Sequence, residues 1–326
     1  MRFSVIIALY NKGAYVRKAL ESVAAQTFQD FEVVIVNDGS TDESLNVVND
    51  FVRTNERMKE LTSERVQIIT QANSGVAVAR NNGVAKSKGE YVCFLDADDW
   101  WEPNYLEEMD KLIKAYPEAG LYATNYVYYK PGKTHVALKF ERGYMNYPEA
   151  YSHGEMPVWT GAACMPRKVF DKMGGFPIGI ILGEDFLLWA KTALHYKVAF
   201  CEKALAYYNN DVPANLRATR NLHEPQYHML FNLGEIEAIV DRRLSIVDRG
   251  EWKSLLDKLR VIGLMDYWLS RDYHDTAAEE LKKVNWSKLP KKAKAHYEKP
   301  IWYLKAHRHF MRVGSYFKQK LIRLIK

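Results

Sequence analysis

The sequence predicts an α/β protein built on a mostly parallel sheet covered by helices, followed by a helical C-terminal region. Two observations predict this class. Across residues 1–95, short apolar runs alternate with segments whose apolar residues recur every three or four positions, the rhythm of successive βαβ units. The apolar runs also lack a polar face, as strands do when helices cover both sides of the sheet.

The elements follow in order. Phe3 to Leu9 reads as a strand, and Ala14 to Gln26 has helical spacing. Phe31 to Val36 is a second strand running into Asn37-Asp38-Gly39-Ser40-Thr41-Asp42, where Ser40 or Thr41 can cap a helix toward Met58. Val66 to Thr70 is a third strand, Val76 to Lys86 a helix closed near Gly89, and Tyr91 to Leu95 a fourth strand. After Pro103 come a helix over 104–115, strand-like runs at 121–129 and 135–140, and a buried strand at 161–165. Gly183-Glu184-Asp185 opens a helix over 186–195, and 198–208 returns to strand character. From about Asn221 the spacing of Leu, Ile and Trp is helical. The expected division is a unit over 1–220 and a helical region over 221–326.

Composition narrows the function classes. With 48% hydrophobic and 26% charged residues the chain is an ordinary globular protein. Cys93, Cys164 and Cys201 show neither metal-ligand spacing nor a disulfide framework, which favours a reducing compartment. No segment approaches the ~18 apolar residues of a membrane span. The N-terminus enters a strand at once without a cleavage pattern, so the expected location is cytoplasmic. Charge is uneven: residues 286–326 carry 12 Lys or Arg against one acid, whereas the preceding part carries 34 against 39.

The densest chemistry lies at Asp96-Ala97-Asp98-Asp99, directly after an apolar strand. Carboxylates this close repel one another unless a cation sits among them, so the cluster predicts a divalent-metal site. In open α/β sheets ligands bind beyond the carboxyl ends of the strands. Tyr10, Asp38 and the pair Asp96/Asp98 therefore converge on one crevice. An aspartate there can accept from a nucleobase imide or a ribose hydroxyl, and Tyr10 can lay its ring on a base. A metal on Asp98 would bridge a diphosphate. Two rival nucleotide folds are excluded. Tyr10-Asn11-Lys12-Gly13-Ala14 supplies one glycine where a dinucleotide turn needs three, and no Gly-Lys-Ser/Thr phosphate loop exists.

Ser4-Val5-Ile6-Ile7-Ala8-Leu9-Tyr10-Asn11, Asp38-Gly39-Ser40-Thr41-Asp42, Asn73-Ser74-Gly75 with Ala79-Arg80-Asn81, and Phe94-Leu95-Asp96-Ala97-Asp98-Asp99 together resemble the family-2 glycosyltransferases of GT-A fold. The resemblance covers roughly 1–210, with a nucleotide-sugar half over 1–100 and an acceptor half over 101–220. It implies inverting transfer of a hexosyl or N-acetylhexosaminyl group from a nucleotide-diphosphate sugar, with UDP expected, in bacterial surface-polysaccharide or O-antigen assembly. The acceptor would be a glycan or lipid-linked glycan. Ala8 and Tyr10 would hold the base, Asp38 the uracil and Asp96 the ribose. Asp98 would bind Mn2+ or Mg2+, with Asp99 able to share it. Arg80 falls where a cation can steady the diphosphate, or alternatively in a structural ion pair. Gly183-Glu184-Asp185 matches the family's Glu-Asp motif, which makes Asp185 the general base and Glu184 an acceptor-side residue. Trp159 is a candidate platform for the acceptor sugar, or alternatively a core tryptophan. Related enzymes often complete the metal shell with a histidine after the last strand. Here Tyr207-Tyr208-Asn209-Asn210-Asp211 has none, leaving Asn209, Asp211 or water. The rival enzyme class is a sugar-nucleotide nucleotidyltransferase, which would want a Gly-rich basic loop after the first strand. The rival outside catalysis is a nucleotide- or glycan-binding protein of the same fold.

In the tail, Phe310, Val313, Phe317, Leu321 and Leu324 fall on one helical face, with Arg312, Lys318, Lys320, Arg323 and Lys326 mostly elsewhere. Such a basic amphipathic helix over 300–326 can lie on an anionic bilayer or pack on the catalytic domain with its charges solvated, and the favoured expectation is peripheral attachment to the cytoplasmic face of the inner membrane.

Overall fold

The computed structural model describes residues 1–60, 65–152, 156–213, 216 and 222–304. The expected tail helix, from residue 305 onward, lies outside them. Two compact units emerge, one of residues 1–147 and 157–220 and the other of 148–156 and 221–326.

The first unit begins β1 (Phe3–Leu9), α1 (Val16–Ala24), β2 (Phe31–Asp38), α2 (Ser44–Thr54), α3 (Glu56–Glu60), β3 (Val66–Gln71), α4 (Val76–Lys86) and β4 (Tyr91–Asp96). These strands are parallel and ordered β3-β2-β1-β4. β1 and β2 are almost wholly buried, as their unbroken apolar runs require. Chain order reverses between β1 and β4, so the crevice expected of such sheets opens beyond Leu9 and Asp96.

The chain continues with β5 (Trp100–Trp101), α5 (Tyr105–Ala115), β6 (Ala119–Tyr129), β7 (His135–Val136), β8 (Gly143–Met145), α6 (Tyr147–Ser152), β9 (Ala163–Pro166), α7 (Arg167–Met173), α8 (Glu184–Ala193) and β10 (Lys197–Asn209). β9 lies antiparallel between β4 and β6, and β10 runs parallel to β6. The sheet is therefore mixed. Two expected strands differ. Residues 160–162 form a single 3-10 turn ahead of β9. The 135–140 run keeps strand pairing only at its start, because Asn125 captures Leu138 with its side chain: Oδ1 accepts from Leu138 N (3.0 Å) and Nδ2 donates to Leu138 O (2.9 Å). β5 and β8 are too short for a period-two signal.

In the second unit, α9 (Gly234–Arg243), α10 (Ile246–Gly263), α11 (Met265–Trp268), α12 (His274–Lys282) and α13 (Lys291–Tyr297) bury Ile236, Leu255, Leu256, Tyr267, Leu281 and Tyr297. Buried Arg260 ties three helices through Glu237 (2.7 Å) and Glu280 (3.2 Å). Among the described residues no helix is long and apolar enough to cross a membrane.

The strand ends are held in place by how closely α4 packs on the sheet. A Cβ at Gly83 would lie 2.5 Å from Ile6 Cγ2 and 3.2 Å from Val36 Cγ2, both on stiff β-branched side chains. Gly83→Ala is expected to lower stability by about 1–2 kcal/mol, since overpacking outweighs the ~1 kcal/mol that alanine adds to a helix. Urea denaturation reads this directly, and an unchanged or higher midpoint would contradict the packing described.

Candidate active site

Three aspartates stand where parallel strands end. Asp38 closes β2, Asp96 closes β4 opposite Ala8 of β1, and Asp98 follows two residues on. Ala8 offers only a methyl group beside Asp96, which leaves the crevice open there. Tyr10 is 46% exposed at the end of β1, free to present a ring face.

Asp38 first builds the loop that follows β3. Its Oδ1 accepts from Gln71 Nε2 and Ser74 N (both 2.8 Å), and its Oδ2 accepts from Gly75 N (2.9 Å). A carboxylate has about four acceptor sites, so Oδ2 of Asp38, itself 3% exposed, retains one unused.

Arg80 lies on the buried face of α4 and is 4% exposed. Its Nη2 donates to Asp96 Oδ1 (2.7 Å), and its Nη1 to Glu184 Oε1 (2.8 Å) at the start of α8. The Phe176 ring sits 5.1 Å from the guanidinium carbon. Both ends of the guanidinium are thus committed to protein carboxylates, which is the ion-pair alternative rather than a free cation facing the diphosphate. Burial, followed by the neighbouring Asp185, pushes Glu184 up to about 7 against the pull of Arg80. One buried cation among Asp96, Glu184 and Asp185 leaves an excess of negative charge.

Asp98 and Asp99 divide their tasks. Asp98 Oδ2 accepts from the Lys12 ammonium at 2.5 Å. Asp99 is 3% exposed and accepts from Asn209 N (2.7 Å), which pins the end of β10 to the cluster. Burial, then the charges of Asp98 and Asp96, raise Asp99 well above the usual carboxylate range. Asn209 turns its side-chain oxygen to Asp211 N (3.0 Å). Next to it, the Tyr208 phenol is raised by burial and by the field of Asp99, Asp98 and Asp96, so it stays protonated. Among the described residues no three carboxylate, imidazole or thiolate groups converge to hold a metal unaided. The donor set nevertheless fits Mg2+ or Mn2+, because carboxylate oxygens are hard ligands and Lys12 shows that Asp98 accepts a cation.

Asp185 opens α8 with Oδ2 accepting from Thr160 Oγ1 (2.9 Å) and Oδ1 from Phe186 N (2.7 Å). Trp159, expected as a sugar platform, is 3% exposed. Its indole packs on Tyr126 (5.1 Å) and Tyr208 (5.3 Å), and a Cβ at Gly161 would fall 2.4 Å from it. It has no open face and belongs to the core.

The sequence profile of Glycosyl transferase family 2 matches residues 4–174, just over half of the chain. The chain belongs to glycosyl transferase family 2. Among curated relatives, the glycosyltransferase GlyA of Streptococcus pneumoniae is 32% identical over 221 residues, covering 64% of this chain and 30% of GlyA. The chain spans about a third of the length of the first curated relatives it matches. Among solved structures, Staphylococcus aureus TarS residues 1–349 in complex with UDP-GlcNAc superposes with a TM-score of 0.71 at 18% identity, covering 86% of this chain and 80% of that one. The mannosyltransferase PcManGT of Pyrobaculum calidifontis, in complex with GDP-Man and Mn2+, gives 0.59 at 19% identity, covering 99% and 83%. The fold is GT-A.

In this family-2 chain, Asp38, Asp96 and Asp98 come to one edge with Ala8 and Tyr10, and Arg80 joins them to Glu184 and Asp185. Lys12 and Thr160 went unread in the sequence. Neither sits in a motif, although Lys12 lies two residues beyond the first strand end. Arg80→Ala would strand buried Glu184 and part-buried Asp96 and is expected to cost about 2–3 kcal/mol. A loss below ~1 kcal/mol in chemical denaturation would mean that the ion pairs do not organise the site.

Proposed function

We propose that this chain is an inverting glycosyltransferase acting on a nucleotide-diphosphate sugar, with UDP the favoured nucleotide. The acceptor is a hydroxyl of a glycan or lipid-linked glycan in surface-polysaccharide assembly. One observation carries the reading: donor-side carboxylates Asp38, Asp96 and Asp98 share one sheet edge, and Arg80 bridges that edge to the Glu184-Asp185 pair.

In this reading Tyr10 stacks on the base and Asp38 accepts its imide N–H with the remaining oxygen site. Uracil and guanine both present such a donor. Asp96 keeps 28% of its side chain exposed beside Arg80 and accepts from a ribose hydroxyl. Asp98 would hold a divalent ion, whose chemistry would be to neutralise charge on the leaving diphosphate. Asp185 takes the proton of the acceptor hydroxyl as that oxygen bonds to the anomeric carbon. The carbon–oxygen bond to the diphosphate breaks with its electron pair leaving on phosphate, and a single displacement inverts the centre. Thr160 and the Phe186 amide hold both carboxylate oxygens of Asp185, so the base is oriented before substrate arrives. Glu184 positions Arg80 and does not react.

Membrane attachment through the basic tail belongs to the same proposal. Of its described residues, Trp302 is 71% and Tyr303 38% exposed, and such side chains suit an interface.

Asp98→Ala should abolish divalent-dependent binding of UDP in calorimetry, and unchanged affinity would remove the cation from Asp98. Asp185→Asn should keep donor binding while transfer falls ~10²–10⁴-fold, the worth of a positioned base. Turnover near wild type would place the base elsewhere.

A further inference from the structure

Lys12 has no part in the mechanism above, yet its placement is heavily determined. Asn11 adopts φ 49°, the one positive φ outside glycine among the described residues. A left-handed conformation is uncommon off glycine and persists where surrounding contacts fix it. Those contacts are present. Asn11 N donates to Ser40 Oγ (3.2 Å), and Asn11 Oδ1 accepts from Thr41 N (2.8 Å). Lys12 N donates to Ser44 Oγ (2.8 Å), and Gly13 N to Asp42 Oδ2 (3.0 Å). The turn so fixed sends the Lys12 side chain under the sheet edge, where it is 16% exposed. Its ammonium donates to Asp98 Oδ2 (2.5 Å) and to the Leu216 carbonyl (3.0 Å).

The other buried cation of the crevice, Arg80, is committed to Asp96 and Glu184. The ion pair on Asp98 therefore comes from Lys12. An ammonium and a divalent ion cannot both occupy that oxygen at contact distance. A divalent ion arriving alone would have to displace Lys12 from Oδ2 or sit on Oδ1 beside it, and in either case the ammonium's charge stays close by, only partly screened by water. A diphosphate changes the balance, because its oxygens offer the ammonium new acceptors while serving the metal as ligands. Lysine suits such a transfer, being a compact charge with three donors on a flexible stem.

We propose that Lys12 is the resident counter-cation of Asp98, which makes divalent-ion binding depend on a nucleoside diphosphate that takes over the ammonium. The inference rests on the proposed assignment of Asp98 as the metal ligand. It gives Lys12 two states, one on Asp98 and one on the diphosphate, and couples metal to donor reciprocally.

The test is titration of Mn2+ alone, and of Mn2+ with UDP or GDP, followed by the paramagnetic resonance of free Mn2+ at mildly alkaline pH. Wild type, Lys12→Gln, Lys12→Met and Asp98→Ala are compared after thermal melts establish that each is folded. Lys12→Gln and Lys12→Met should bind Mn2+ alone about tenfold or more tighter than wild type, the size expected for removing a close, part-buried like charge. Nucleotide should then strengthen their Mn2+ binding less than it does in wild type. Mn2+-alone affinity unchanged from wild type in both variants would overturn the role of Lys12, even if Asp98→Ala still loses Mn2+ with nucleotide. Intact Mn2+–nucleotide binding in Asp98→Ala would instead overturn the metal assignment on which the inference rests.

Discussion

A single buried guanidinium holds the two halves of the candidate site in one geometry. Arg80 leaves α4 to pair with Asp96 at the end of β4 and with Glu184 at the start of α8. Removing Arg80 would leave buried Glu184 and part-buried Asp96 without their cation, which costs more than a lost surface pair. The position of Asp185 relative to the strand-end aspartates thus follows from one residue. Burial and the neighbouring Asp185 nonetheless push Glu184 up to about 7, more than Arg80 pulls it down.

Around this hub, polar loops are knitted to one another more than to the core. Asp38 organises residues 71–75 through three hydrogen bonds. Asp42 joins the turn after β1 to the start of α2; burial opposes its ionisation, but bonds from Ser44 and Gly13 outweigh it and draw its carboxyl below the usual range. Gly39 is required where these loops meet, with φ 72° and a Cβ position 2.8 Å from Asn73 N. The apolar strands thereby end in a rim whose side chains are oriented before any ligand is present, a condition for selective binding.

Much of this was legible in the sequence because it is local. Unbroken apolar runs gave β1 through β4 to within about two residues, and the Asp96–Asp99 repeat announced a charged strand end. What escaped depends on distance along the chain. Glu184 lies 104 residues from Arg80 and Lys12 lies 86 from Asp98, so neither pairing leaves a periodic trace. A hint existed at Arg80, a lone cation among the buried residues Ala77, Ala79 and Val84 of α4, which demands buried carboxylates. Trp159 was open for the opposite reason: an aromatic near acids fits a sugar platform as well as a core, and packing against Tyr126 and Tyr208 favours the core.

The strand-end aspartates, with Arg80 holding Asp96 to Glu184, are proposed to form a cation-assisted nucleotide diphosphate site. Anomalous diffraction from crystals grown with UDP and Mn2+ tests it most directly. The account predicts an anomalous peak within ligand distance of Asp98, bridged to the diphosphate, with the base over Tyr10 and the Arg80 ion pairs intact. A diphosphate bound away from Asp98, or a manganese peak at another group of residues, would contradict it.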